Sequence, residues 1–152
     1  MKSKPSARAA AFRFLTYRSL SEKELTDKLR RKEYSEGDIR ETLSYLKELG
    51  YVNDRELAEE VFRFYKDQGI YGMRYIRRKM ELRGLSAEDF SLSREEEYQR
   101  ASSLMARQEA LRPGFSRNLR RAAAFLERRG YSLSVIAAMV EDLRSASGED
   151  FE

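Results

Sequence analysis

Thirty lysines and arginines face 26 aspartates and glutamates in a chain of 152 residues that contains no histidine and no cysteine. Without imidazole or thiol, it lacks the commonest general base and the commonest metal ligand, and it has no means of thiol catalysis or disulfide formation. Carboxylates are plentiful, but Glu59-Glu60 and Glu95-Glu96-Glu97 are consecutive, so on helices their side chains diverge into a solvated acidic face. No Walker-type glycine loop and no Gly-x-Ser-x-Gly elbow is present, and Gly69 with Gly72 reads as a turn between helices. The expectation is no catalytic residue, no metal site and no cofactor. What remains is the chemistry of charge.

That charge is modulated along the chain. Residues 1–34 carry +6, 35–70 carry −4, 71–84 carry +4, 85–99 carry −4, 100–131 carry +6 and 132–152 carry −4, for a net +4. The cations that stand out are Lys28, Arg30, Arg31 and Lys32 in the first basic block, and Arg74, Arg77, Arg78 and Lys79 in the second. The third block supplies Arg117, Arg120, Arg121, Arg128 and Arg129. A stripe made from these groups would attract a polyanion or an acidic protein surface, with an affinity that falls steeply with salt. The alternative for any one of them is plain solvation, since Lys and Arg late in a helix also suit its dipole.

The elements that must carry these cations read as helices. Eight glycines and two prolines are few breakers for this length, and Ala, Leu, Glu, Arg and Lys abound. Apolar stripes at helical spacing recur, as in Leu57, Ala58, Val61, Phe62 and Tyr65. Capping-box spacing appears at Ser21/Glu24 and Ser93/Glu96, further N-caps at Asn53 and Ser86, and left-handed stops at Gly50, Gly69, Gly84 and Gly130. Together these predict helices over 7–18, 21–32, 36–49, 54–67, 72–83, 86–91, 93–111, 116–129 and 132–146. The longest charge-free stretch, Gly130 to Val140, is far short of the roughly 20 residues a membrane-spanning helix needs. The start of the chain, basic but with no apolar segment after it, does not read as a secretory signal, so a soluble cytoplasmic protein is expected.

The helices repeat. Leu25, Leu29, Tyr34 and Ile39 share their spacing with Ile76, Met80, Leu85 and Phe90, and again with Ala122, Leu126, Tyr131 and Ile136. The predicted fold is all-α: a tandem array of three three-helix repeats, elongated, curved and solenoid-like. Its expected boundaries are 7–50, 54–92 with a short third helix, and 93–146, with 147–152 a frayed tail. In such an array the basic second helices would align into one track. Arg94 and Glu97 stand where the first repeat has Leu43 and Leu46, which predicts a looser junction there.

Four segments also resemble a known family, the bacterial RecX recombination regulators. Ser21-Glu22-Lys23-Glu24-Leu25 with Lys28-Leu29 is similar to that family's first unit, and Leu49-Gly50-Tyr51-Val52-Asn53-Asp54-Arg55-Glu56-Leu57-Ala58 to its junction into the second. Gln68-Gly69-Ile70-Tyr71-Gly72-Met73-Arg74-Tyr75-Ile76 with Met80 and Arg83-Gly84-Leu85 resembles the second-unit core, although Met73 stands near where the family more usually has proline. Phe125-Leu126-Glu127-Arg128-Arg129-Gly130-Tyr131-Ser132 resembles the third-unit turn, so the likeness spans about 7–143. The resemblance implies a monomeric, non-enzymatic modulator that lodges in the groove of the RecA filament on single-stranded DNA. There it would suppress ATP hydrolysis and strand exchange in recombination, DNA repair and the SOS response. Two other readings stay open on the residues alone: a direct DNA-binding helix-turn-helix protein, and a helical-repeat adaptor.

Overall fold

The computed structural model describes residues 3–149, which are all-α, with no strand among them. The helices are α1 (Ala7–Leu15), α2 (Glu22–Arg31), α3 (Glu36–Glu48), α4 (Asp54–Gln68), α5 (Met73–Leu82), α6 (Arg94–Leu111), α7 (Leu119–Arg128) and α8 (Leu133–Glu149). Eight expected helices are present. The ninth, over 86–91, is not: Ala87–Phe90 closes a single turn through Phe90 N–H to the Ala87 carbonyl at 3.1 Å and stops. So short a segment cannot repay helix nucleation, and Phe90 packs on Phe62 instead, with ring centroids 5.0 Å apart.

The expected helix over 116–129 is also corrected. Gly114 takes a left-handed φ of 93° and Phe115–Arg117 forms a 3₁₀ turn before Asn118 caps α7. Glu109 holds that turn by accepting from the backbone N–H groups of Gly114 and Ser116, both at 2.8 Å, and these two bonds keep its carboxyl below the ordinary carboxylate range. Helix α8 runs through Glu149, beyond Ala146, and residues 150–152 of the expected tail lie outside the described residues.

The chain divides into two compact units. The first comprises the described residues of Met1–Val61 together with Met80–Ser86. Its core is Ala10, Ala11, Leu20, Leu25, Leu29, Ile39, Leu46 and Val52. Ser21 caps α2 with the reciprocal Glu24 bond, as its spacing predicts, and its hydroxyl also donates to the Arg83 carbonyl. Asp54 accepts from Glu22 N–H at 2.9 Å, satisfying a free donor of α2's first turn. Burial pushes the Asp54 carboxyl up, opposed by that bond and aided by the charges of Glu22 and Glu24.

Glu24 is the polar anchor of this unit. Arg83 donates to it through Nη2 at 2.9 Å and Nε at 3.1 Å, and Arg18 adds a bond at 2.9 Å. Burial pushes the Glu24 carboxyl up, but the bonds from Arg83 and the Ser21 N–H, with the charges of Arg83 and Arg18, outweigh it and leave its pKa below the ordinary 4.5. A depressed carboxylate stabilises the fold above its unfolded pKa and ceases to as pH falls through the folded one. Glu24→Gln is therefore expected to cost about 1–2 kcal/mol at neutral pH. In urea titrations the gap to the parent should close on acidification below 4.5; a gap constant with pH would place the effect in packing.

The second unit comprises Phe62–Lys79 and the described residues of Ala87–Glu152. Ala101, Met105, Ala122, Leu126, Tyr131, Val135 and Ile136 lie at the centre of its core. Tyr131 is fully buried and donates to the Ile70 carbonyl at 3.0 Å, and burial pushes its phenol up to about 12. The looser junction expected at Glu97 is corrected: Glu97 is only 4% exposed and accepts from Met73 N–H at 2.7 Å. Gly72, just before α5, has no side chain to cap the helix, and Glu97 supplies the acceptor from α6.

The recurring spacing has a common cause in the backbone. The N–H groups of Tyr34, Leu85 and Tyr131 donate to the carbonyls of Leu29, Met80 and Leu126 at 3.2, 3.0 and 3.2 Å. Each bond closes a Schellman turn after α2, α5 or α7, with a left-handed residue (Glu33, Gly84 or Gly130) just before it.

Candidate nucleic-acid interface

On α5 the buried residues are Met73, Ile76 and Met80, so Arg74, Arg77 and Arg78 come out exposed on the other side, as helical spacing requires. On α7 the burial of Ala122, Phe125 and Leu126 likewise turns Arg120, Arg121 and Arg128 to solvent. Arg117 stands on the 3₁₀ turn ahead of that helix, and Arg129 is its C-cap. On α2, Leu25 and Leu29 are buried, Lys28 is half-buried, and Arg30, Arg31 and the C-cap Lys32 are exposed.

The thirteen candidates are not equivalent. Arg30 is engaged by Glu36 in a two-pronged ion pair at 2.7 and 3.0 Å, with Asp27 at 3.9 Å, so its charge is largely spent locally. The Glu36 bonds raise the Arg30 pKa and lower that of Glu36. Among the described residues, none of the other twelve enters a salt bridge. Four lie over aromatic rings: Lys28 at 5.4 Å from Phe14, Lys79 at 5.4 Å from Tyr75, Arg121 at 5.6 Å from Phe115 and Arg129 at 4.8 Å from Phe125. A cation over a ring keeps its charge available while its position is fixed.

Within the second unit the structure brings two basic blocks together. Gly72 N–H donates to the Arg129 carbonyl at 2.9 Å and Arg74 N–H to the Gly130 carbonyl at 3.0 Å, clasping the start of α5 to the end of α7. Beside the clasp, Tyr71 and Tyr75 stack with centroids 3.8 Å apart, and Tyr65 meets both edge-on at 5.9 Å. A hydrogen bond to Tyr75 pushes the Tyr71 phenol up, helped by burial and opposed by the charges of Arg129 and Lys79. Lys79 and Arg129, 50 residues apart in sequence, thus act on the same ring.

In the first unit, Lys32 joins Lys4, Arg13, Phe14, Tyr17 and Tyr34 around an open cavity of about 440 Å³. Position on the second helix of the repeat selects Lys32 and passes over Lys4 and Arg13 of the same basic block, and only the packing of α1 against α2 makes them neighbours. The tyrosine cluster was equally hidden: Tyr65 reads as part of an apolar helical stripe, and neither spacing nor charge singles out Tyr71 or Tyr75. Among the described residues, no group of three or more acidic side chains is placed to hold a metal ion, and no helix is long and apolar enough to cross a membrane.

Fold and surface together define an all-helical protein that presents, among its described residues, a set of cations outside any salt bridge. Residues 7–46 match the family model of the RecX first three-helix domain. Regulatory protein RecX of Streptomyces lividans is 32% identical over 96% of this chain and 81% of its own. Regulatory protein RecX of Deinococcus radiodurans is 36% identical over 89% of this chain and 67% of its own. The solved structure of RecX from Lactobacillus salivarius superimposes with a TM-score of 0.74 over 91% of this chain and 94% of that one; at 23% identity it speaks for the fold. The chain belongs to the RecX family of regulatory proteins.

Proposed function

We propose that this chain binds the RecA filament on single-stranded DNA, in its helical groove, and suppresses RecA ATP hydrolysis and strand exchange. It acts by binding and not by catalysis, as a cytoplasmic monomer serving recombination, DNA repair and the SOS response. Three repeats, 7–50, 54–92 and 93–146, form its working modules. The observation that carries this reading is membership of a family of regulators combined with free cations on α2, α5 and α7. Arg31 and Lys32, then Arg74, Arg77 and Arg78, then Arg120, Arg121 and Arg128 are solvent-facing and outside any salt bridge among the described residues. Such groups contact phosphates, while the acidic blocks pair with basic recombinase surface and set register.

The test is the DNA-dependent ATPase of RecA titrated with this protein. A fall in rate at substoichiometric protein is the expected result; no change up to excess protein overturns the reading. Reversing Arg77, Arg78 and Lys79 to glutamate is expected to weaken filament binding at least about tenfold and to flatten its salt dependence. Unchanged affinity at two salt concentrations would remove the α5 cations from the contact surface.

A further inference from the structure

We infer that Tyr71, stacked on Tyr75 and flanked by Lys79 and Arg129, is a platform on which one base of single-stranded DNA stacks. This deepens the function proposed above and rests on it for the identity of the strand, but it can be tested without recombinase.

The stack is built before any ligand arrives. The planes of Tyr71 and Tyr75 lie within 3° of one another, and both rings are half-buried. Tyr65 braces the pair edge-on, and Phe64, 61% exposed, packs edge-on against Tyr65 at 5.1 Å. Tyr75 has Tyr71 on one face and Lys79 over its ring, which leaves Tyr71 as the end of the pile. A base on the outer face of Tyr71 would continue the stack by one ring, at little cost in ordering the protein.

The surrounding charge fits a strand and not merely a flat ligand. Arg74, Lys79 and Arg129 enter no salt bridge among the described residues. The backbone clasp that joins Gly72 and Arg74 to Arg129 and Gly130 fixes Arg129 next to the Tyr71 segment, and the charges of Arg129 and Lys79 both reach the Tyr71 phenol. Rings that stack on bases next to cations that track the phosphates are the usual means of holding a single strand without reading its sequence. An acidic protein partner would need the cations but would have no use for a half-buried tyrosine stack beside them.

The experiment compares the full chain on two fluorescein-labelled probes of about 15 nucleotides, an oligothymidine and an abasic strand of the same length, by anisotropy at low and moderate salt. The parent should bind the oligothymidine about tenfold more tightly than the abasic strand. The double variant Tyr71→Leu/Tyr75→Leu should erase that preference, and Tyr71→Phe/Tyr75→Phe should retain it. Lys79→Gln/Arg129→Gln should weaken both probes together and reduce the salt slope by about 0.7 per cation.

Equal affinity of the parent for the two probes, no binding to either at low salt, or a preference that survives the leucine pair overturns the platform. If the leucine pair loses its helical circular dichroism, the parent's own discrimination between probes decides. Suppression of RecA without base preference would sink the platform alone, and base preference without any effect on RecA would sink the regulatory reading alone.

Discussion

Gly130→Ala is expected to cost about 4 kcal/mol of stability, a loss that urea denaturation followed by circular dichroism will resolve. Two penalties add. Gly130 sits at a left-handed φ of 84°, where an L side chain is strained, and a Cβ there would come within 3.0 Å of Tyr75 N, Cα and Cβ. Two of those three atoms are backbone, so no rotamer change relieves the overlap, and only separating α5 from the end of α7 would. Gly72 faces the same clasp from the other side, its added Cβ falling 2.5 Å from the Gly130 carbonyl oxygen. Gly50 is the control: its φ of 79° carries the same strain, but nothing lies within 4 Å, so Gly50→Ala should cost about 1 kcal/mol. Equal costs at Gly50 and Gly130 would mean that the clasp gives way freely and that the juxtaposition of Arg74 with Arg129 is not fixed by packing.

That contrast also marks where the sequence was legible. Leu25/Leu29, Ile76/Met80 and Ala122/Leu126 declared buried faces because helical periodicity is local, and all six are buried. The turns after α2, α5 and α7 were readable from an aromatic or leucine three residues past the helix end, even though Glu33 takes a φ of 65° where Gly84 and Gly130 hold the equivalent place. What a local pattern cannot carry is a partner distant in sequence. Nothing in the sequence separates Arg30 from Arg31, but Glu36 closes on Arg30 alone, and no local pattern marks Tyr71, which the docking of α5 on the α7 turn leaves next to Arg129. The segment at 86–91 misled for the opposite reason: its serine cap and apolar residues suited a helix, but too few hydrogen bonds were available to sustain one.

Glu97 gives the second large effect, because spacing and structure predict opposite signs for one substitution. By the repeat, Glu97 occupies the place of Leu46, which is fully buried, so Glu97→Leu should restore an apolar contact and stabilise the fold. By the structure, the Glu97 carboxylate is the acceptor for Met73 N–H at 2.7 Å, at the positive end of α5, where Gly72 can offer no cap of its own. Leucine would leave that buried donor unsatisfied, a cost of about 1–3 kcal/mol, and would forfeit the carboxylate's interaction with the helix end. The net expectation for Glu97→Leu is a loss of about 3 kcal/mol, while Glu97→Gln, which keeps the acceptor and drops the charge, should lose about 1 kcal/mol or less. Urea midpoints of the two variants decide it, and a leucine variant at least as stable as the parent would show that α5 can begin uncapped. A further consequence reaches the proposed interface: Met73 lies between Tyr71 and Tyr75 in sequence, so fraying α5 at this point loosens the tyrosine stack. The leucine variant should therefore lose base discrimination in proportion to its lost stability, whereas the glutamine variant should keep both.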